Sequence, residues 1–300
     1  MDYTLENIKT LDRGVNKLFS SAIDDSSNKE YEEIATVVTS KARIQSYAWL
    51  GDIPSMKEWV DERQKAKLED YKYDIEKKDW ETSFYVTRDD FMFDGLGIVA
   101  TKVETLNHAV NDHYNEIVGE LITANGDCFD GQPFFGEHEL GEFVYNNTSG
   151  YKLTKDNFFA VARKMKGIKK TNGKTMRVKQ TLVLHALDLE QQADVIFKSA
   201  LVDGSTNESY GKVKTKVMDD MAPGTWCVID NSRPVKPFIL QITKKAEKVD
   251  RLTQNPLEGK KIYYGIDTMD NAGYGFWQLA HFCDGSGSED ASAPVEAPAE

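Results

Sequence analysis

The stretch IVATKVETLNHAVNDHYNEIVGELITA, residues 98–124, decides the architecture. Its apolar and aromatic groups Val103, Leu106, Val110, Tyr114, Ile117 and Leu121 recur at spacings of three and four. That is the period of a single helix face, and Asn125-Gly126 supplies a left-handed stop. The spacing predicts one helix of about 27 residues, roughly 40 Å long at about 1.5 Å per residue. Ordinary globular helices run to about three turns. A helix of this length reads as a strut, and the six named residues as the face it turns to a core.

Upstream the period changes. Tyr71, Tyr73 and Ile75 alternate with polar residues, Lys77-Lys78-Asp79 interrupts, and Trp80, Thr82, Phe84 and Val86 alternate again. This predicts a β-hairpin within residues 67–95 with a charged tip and one bulky face formed by Tyr71, Tyr73, Ile75, Trp80, Phe84 and Val86. Two isolated strands are marginal in water, so that face needs a partner. Still further upstream, Leu5, Ile8, Leu11, Val15, Leu18 and Phe19 predict an amphipathic helix over about residues 4–23.

Downstream, CFDGQPFFGEHELGEFVYNNTSG (128–150) reads as an ordered loop region rich in Gly, Asn and aromatics. Residues 151–243 read as a separate α/β unit. Thr154 is placed to cap a helix running to about Lys166, and Asp188 to cap another through about Leu201. Strands are expected at Thr181–Leu187, Lys212–Val217, Trp226–Asp230 and Phe238–Thr243. Lys261–Asp267 and Tyr274–Phe282 predict a second hairpin around the turn Met269–Gly273. From Asp284 onward five acids, no base and almost no apolar group cannot build a core, so disorder is expected.

Charge and motif content exclude much. With 49 acids against 37 bases the net charge is −12, which disfavours a tight grip on phosphate backbones. No run approaches the roughly 18 apolar residues of a membrane helix, and the acidic start lacks the pattern of a signal peptide. Cys128, Cys227 and Cys283 are far apart with no C-x-x-C spacing, against both a disulfide framework and a thiolate zinc site. His108 and His113 are five apart and fall on different helix faces. Phosphate loops, dinucleotide fingerprints and nucleophile elbows are missing. A metal-dependent hydrolase using His138 and His185 has only residue type in its favour. The expectation is therefore no catalytic residue, no metal and no cofactor.

Five segments then carry a resemblance: YAWLGDIPSMKEWVDER (47–63), RDDFMFDGLGI (88–98), CFDGQPFFGEH (128–138), WCVIDNSRPVKPFILQ (226–241) and YGIDTMDNAGYGFWQLAH (264–281). Their wording and order resemble the Mu-like phage major head subunit family. The resemblance covers roughly residues 33–282; the acidic tail stands outside it. It implies an α+β fold of HK97 type, with an N-terminal arm (1–35), the start of the peripheral region (36–66) and an extended β-hairpin loop (67–95). A peripheral domain with the spine helix (96–150), an inserted axial domain (151–243), a return to the peripheral domain (244–283) and a tail (284–300) complete it. The implied function is a non-enzymatic major capsid protein whose hexamers and pentamers form an icosahedral shell around double-stranded DNA. The hairpin face would then meet a neighbouring subunit. A separate scaffolding protein, since the arm is too short to hold a fused one, a portal and decoration proteins are the implied partners. The implied place is the virion, after assembly in the host cytoplasm. A protein-cargo nanocompartment of the same fold is the nearest alternative.

Overall fold

In a computed structural model of the chain, residues 29–47, 73–93, 97–170, 173–202, 204–249 and 261–287 are described, with isolated positions before residue 18. Among them the strands in chain order are β1 (Ala35–Thr39), β2 (Ile44–Ser46), β3 (Asp74–Glu76), β4 (Lys78–Thr87), β5 (Glu137–Leu140), β6 (Phe143–Asn146) and β7 (Thr148–Ser149). They continue with β8 (Leu182–His185), β9 (Leu201–Val202), β10 (Ser205–Thr206), β11 (Lys214–Val217), β12 (Trp226–Ile229), β13 (Phe238–Val249), β14 (Lys261–Tyr274) and β15 (Ala280–Cys283).

Phe238, Ile239 and Leu240 are three consecutive apolar residues with no exposed surface, so both faces of β13 are covered and it runs inside its sheet. That sheet has the order β1-β13-β14-β4; β1 is parallel to β13 and the other pairs are antiparallel. The second sheet has the order β11-β8-β12-β15-β7, with β8 and β12 buried along their whole length. The helix Lys155–Gly167 begins as expected, its Thr154 hydroxyl accepting from Asn157 N.

The long helix spans Ile98–Ala124. Val110, Tyr114 and Ile117 are buried and Leu121 half-buried; Val118 and Ile122, one step round the helix, are buried as well. The side chains of Val103 and Leu106 lie outside the described residues. Asn125 closes the helix at φ 44°, and its side chain bonds both the N–H and the C=O of Phe135. The Tyr274 hydroxyl donates to Leu121 O (2.9 Å) and accepts from Gly126 N (2.6 Å), satisfying backbone groups that a helix end leaves open. A second tie lies mid-helix, where His113 Nε2 meets the buried Asp270 Oδ1 at 2.9 Å and Thr268 Oγ1 donates to Asp270 Oδ2 at 2.7 Å.

Several sequence expectations are corrected. The two alternating runs do not form a hairpin with each other: β3 pairs with β2, and β4 pairs with β14 along ten residues. Alternation marks a strand but not its partner, and the longer ladder lies far away in sequence. Residues 261–274 are one continuous strand, not half of a second hairpin. The apparent turn residues are engaged instead, Asp270 by the long helix and Asn271 by Glu76 O at 2.8 Å. The chain turns only at Gly275, whose N–H meets Pro237 O and whose α-carbon leaves no room for a Cβ against Lys236 O. The region 128–150 contains the hairpin β5–β6. Asp188 caps no helix; its carboxylate accepts from Gly224 N, and the helix is Glu190–Phe197. Within the span 151–243, β13 joins the first sheet, while the second sheet takes β7 and β15 from outside that span. Asp284 and Gly287 hydrogen-bond to Ser149 O and Gly150 O, so the start of the expected tail is tied to the fold. The expected N-terminal helix for the most part, Tyr71 and residues 288–300 lie outside the described residues.

Candidate functional site

β2 and β3 are antiparallel, with Ile44 opposite Glu76 and Ser46 opposite Asp74. Arg43 pairs with Glu76 at 2.9 Å, and Tyr47 N donates to Tyr73 O at 2.8 Å. Tyr47 and Tyr73, the described residues on either side of 48–72, therefore lie side by side. This base is anchored in the subunit's own interior. Tyr47 donates to Gln241 Oε1 (2.9 Å), the Tyr73 hydroxyl accepts from Tyr274 N (2.9 Å), and Ile75 packs over Gly273. Burial pushes both tyrosine hydroxyls up to about 12.

The bulky residues expected to form one inter-subunit face divide accordingly. Ile75 and Val86 are buried, Tyr73 and Phe84 half-buried, and only Trp80 sits at the edge of exposure. In the β4–β14 ladder Phe84 and Val86 share a face with Ile262, Tyr264 and Ile266, and the Trp80 ring lies 4.5 Å from His113 of the long helix. That face is turned inward, which corrects the expectation of an exposed apolar hairpin. The opposite face of the same ladder exposes Tyr85 and Tyr263, directly paired, with ring centroids 6.0 Å apart.

Among the described residues two clusters have the residue types of chemistry. Cys128, Asp130 and His138 converge, their ligand atoms within 4.8 Å of one another. His138 Nδ1 lies 2.7 Å from Asp130 Oδ2, Cys128 Sγ donates to Asp130 Oδ1 at 3.0 Å, and His138 Nε2 reaches Phe134 O. The imidazole stacks on Trp277 at 4.2 Å. Burial raises the Cys128 thiol far above its ordinary value. Burial also pushes the Asp130 carboxyl upward, but the hydrogen bonds from His138 and Cys128 outweigh it and leave it lowered. Each carboxylate oxygen already holds a partner, so the arrangement works as a clamp closing the loop between the long helix and β5. The expected rival pair His138 and His185 is not brought together as a cluster among the described residues; His185 is buried in β8 against Ala186 O.

The second cluster was not legible in the sequence. Ser149 Oγ lies 2.8 Å from His281 Nε2, and Lys164 Nζ donates to the same hydroxyl at 3.0 Å. The distances suit a nucleophile and base. Burial, reinforced by the Lys164 ammonium, nevertheless holds the His281 imidazole down at about 3. Such a base does not take a proton near neutrality. The chain Lys164–Ser149–His281 is a structural tie between the second sheet and the helix Lys155–Gly167.

Among the described residues, both clusters and the β2–β3 base thus act as ties that hold distant segments of the two sheets and the long helix together. The family model of the Mu-like prophage major head subunit gpT matches residues 8–148, 140–221 and 213–293. The chain belongs to that family. This gpT-family subunit is 26% identical over 284 residues to the Mu-like prophage FluMu major head subunit of Haemophilus influenzae, covering 93% of this chain and 73% of the relative. It is 27% identical over 285 residues to the major capsid protein of Escherichia phage Mu, covering 93% and 74%. Among solved structures the procapsid of bacteriophage JBD30 superposes with a TM-score of 0.58 at 23% identity, over 93% of this chain and 75% of that one, which shows the HK97-like fold. The gpT-family subunit is a major capsid protein of Mu-like phage type, structural and not enzymatic, and its copies assemble into the shell of a virion.

Proposed function

We propose that this subunit binds its neighbours in the hexamers and pentamers of an icosahedral shell through residues 48–72, which extend from the β2–β3 base onto an adjacent copy. The observation that carries the reading is the placement of that base. Its two ends are joined by backbone hydrogen bonds and held by Tyr47, Tyr73 and Ile75 inside the subunit. The segment between them can thus act outside without disturbing the core. Burying apolar surface at about 25 cal/mol per Å², over a few hundred Å² per contact, contributes several kcal/mol. A closed shell repeats each contact many times, so a weak contact controls assembly.

The shell encloses double-stranded DNA without sequence-specific binding, in keeping with a net charge of −12. A scaffolding protein, a portal and decoration proteins are the partners with which such a subunit works, and assembly takes place in the host cytoplasm. The test is replacement of residues 48–72 by a short Gly/Ser link. A subunit with unchanged circular dichroism and melting that forms no shells under the electron microscope is the expected result. Normal shells would overturn the proposal, and so would loss of the cooperative melt.

A further inference from the structure

The net charge conceals a local reversal. Between Arg163 and Lys179 the chain carries eight bases and no acid. They occupy the last turns of the helix Lys155–Gly167 and the segment after it, where Lys169 and Thr175 form a bridge. Arg163, Lys164, Lys166, Lys174, Arg177 and Lys179 are exposed, and Lys169 and Lys170 half-exposed. Among the described residues no carboxylate lies in ion-pair range of Arg163, Lys164, Lys166 or Lys170. Like charges packed this closely repel one another and call for a counter-charge.

The opposite composition lies at the far end of the sequence. Residues 288–300 hold Glu289, Asp290, Glu296 and Glu300 and no base. The described chain runs up to them beside the basic face. Asp284 N donates to Ser149 O (3.1 Å) and Gly287 N to Gly150 O (2.7 Å), while Lys164 Nζ is bonded to the Ser149 hydroxyl. Asp284 itself is occupied, its Oδ1 accepting from Ser286 N and Oγ. Next to this point a cleft of about 320 Å³, lined among others by Asn147, Arg163, Lys164, Ile168, Trp277 and His281, opens between the helix and β15. Thirteen residues span at most about 45 Å.

We infer that the acidic segment 288–300 docks on the basic face Arg163–Lys179 of its own subunit and masks it from other polyanions. Tethering makes the contact intramolecular, at an effective concentration of the order of millimolar, so few ion pairs are needed. Screening over about 10 Å at 0.1 M salt makes it sensitive to ionic strength.

Zero-length carbodiimide cross-linking of the full chain, prepared as an equal mixture of ¹⁴N and ¹⁵N protein, tests this directly. At low salt, cross-links from Glu289, Asp290 or Glu296 to Lys164, Lys166, Lys169 or Lys170 are expected within one isotope, and they should vanish at 0.5 M NaCl. Absent or scattered cross-links overturn the proposal, and mixed-isotope cross-links overturn its own-subunit form. The mask is read separately with a 20-base-pair DNA duplex. The chain truncated after Gly287 should bind it about tenfold or more tightly than the full chain, a gain removed by the triple change Lys166→Gln, Lys169→Gln, Lys170→Gln. Equal affinities of full and truncated chains would make the face a nucleic-acid site that the segment does not occupy, and overturn the mask.

Discussion

His281 concentrates the electrostatics of the subunit in one side chain. Its Nε2 accepts the Ser149 hydroxyl while the Lys164 ammonium holds the same oxygen from the other side. Protonation would set a donor against that hydroxyl and a second cation beside Lys164, inside a buried site. The folded imidazole is therefore held at about 3, whereas an unfolded histidine titrates near 6.5. Between these values the unfolded chain binds the extra proton. The stability of the fold is thus complete above about pH 6.5 and falls as pH drops toward 3, by up to about 1.4 kcal/mol per unit. Denaturant unfolding measured from pH 7 to pH 4.5 should show this slope in the native chain and a shallower one in His281→Gln. Equal slopes would show that His281 does not drive the acid sensitivity.

At the scale of elements, the decisive joint is the crossing of β3 over β14. A Cβ built on Gly273 would lie 2.5 Å from Ile75 Cδ1 and 3.0 Å from the Tyr73 hydroxyl, so the absent side chain at 273 creates the seat for both. Gly273→Ala should cost about 1–3 kcal/mol by overpacking. The same change made together with Ile75→Ala should cost clearly less than the sum of the two single changes, because the small residue relieves the clash. Additive costs in thermal melts would show that the two residues do not meet. The joint also limits where the chain can be shortened. Removing Tyr73–Phe84 deletes β3 and most of β4, and with them Ile75 and a ladder on β14, so the subunit would lose its core rather than only its reach.

At the scale of the whole molecule, each large sheet is assembled from distant segments. The second sheet joins strands from residues 148–149, 182–229 and 280–283. Its closing strand continues into the bonds that Asp284 and Gly287 make with Ser149 and Gly150. The position of a truncation then matters. Ending the chain after Gly287 should leave the melting midpoint and shell formation unchanged, whereas ending it after Cys283 removes these edge bonds and should lower stability by about 1–2 kcal/mol. Identical melts for both truncations would show that residues 284–287 contribute nothing to the fold.

The sequence by itself determined whatever depends on local period. The long helix is observed at Ile98–Ala124 because one apolar stripe and one left-handed Asn leave little freedom about where it begins and ends. The Thr154 cap and the strands at 182–185, 214–217 and 226–229 were legible for the same reason. Five ordered segments carried the family. Only the tertiary structure decided partners. Alternation shows that residues 78–87 form a strand, but pairing with β14 rather than β3 depends on a ladder whose other half lies more than 170 residues away. Asp270 and Asn271 look like a turn until a half-buried histidine and a distant carbonyl occupy them. The basic face and the acidic segment are each plain in the composition. That the chain reaches Gly287 beside the basic face is not, because it rests on the bonds after β15 that bring Gly287 back to Gly150.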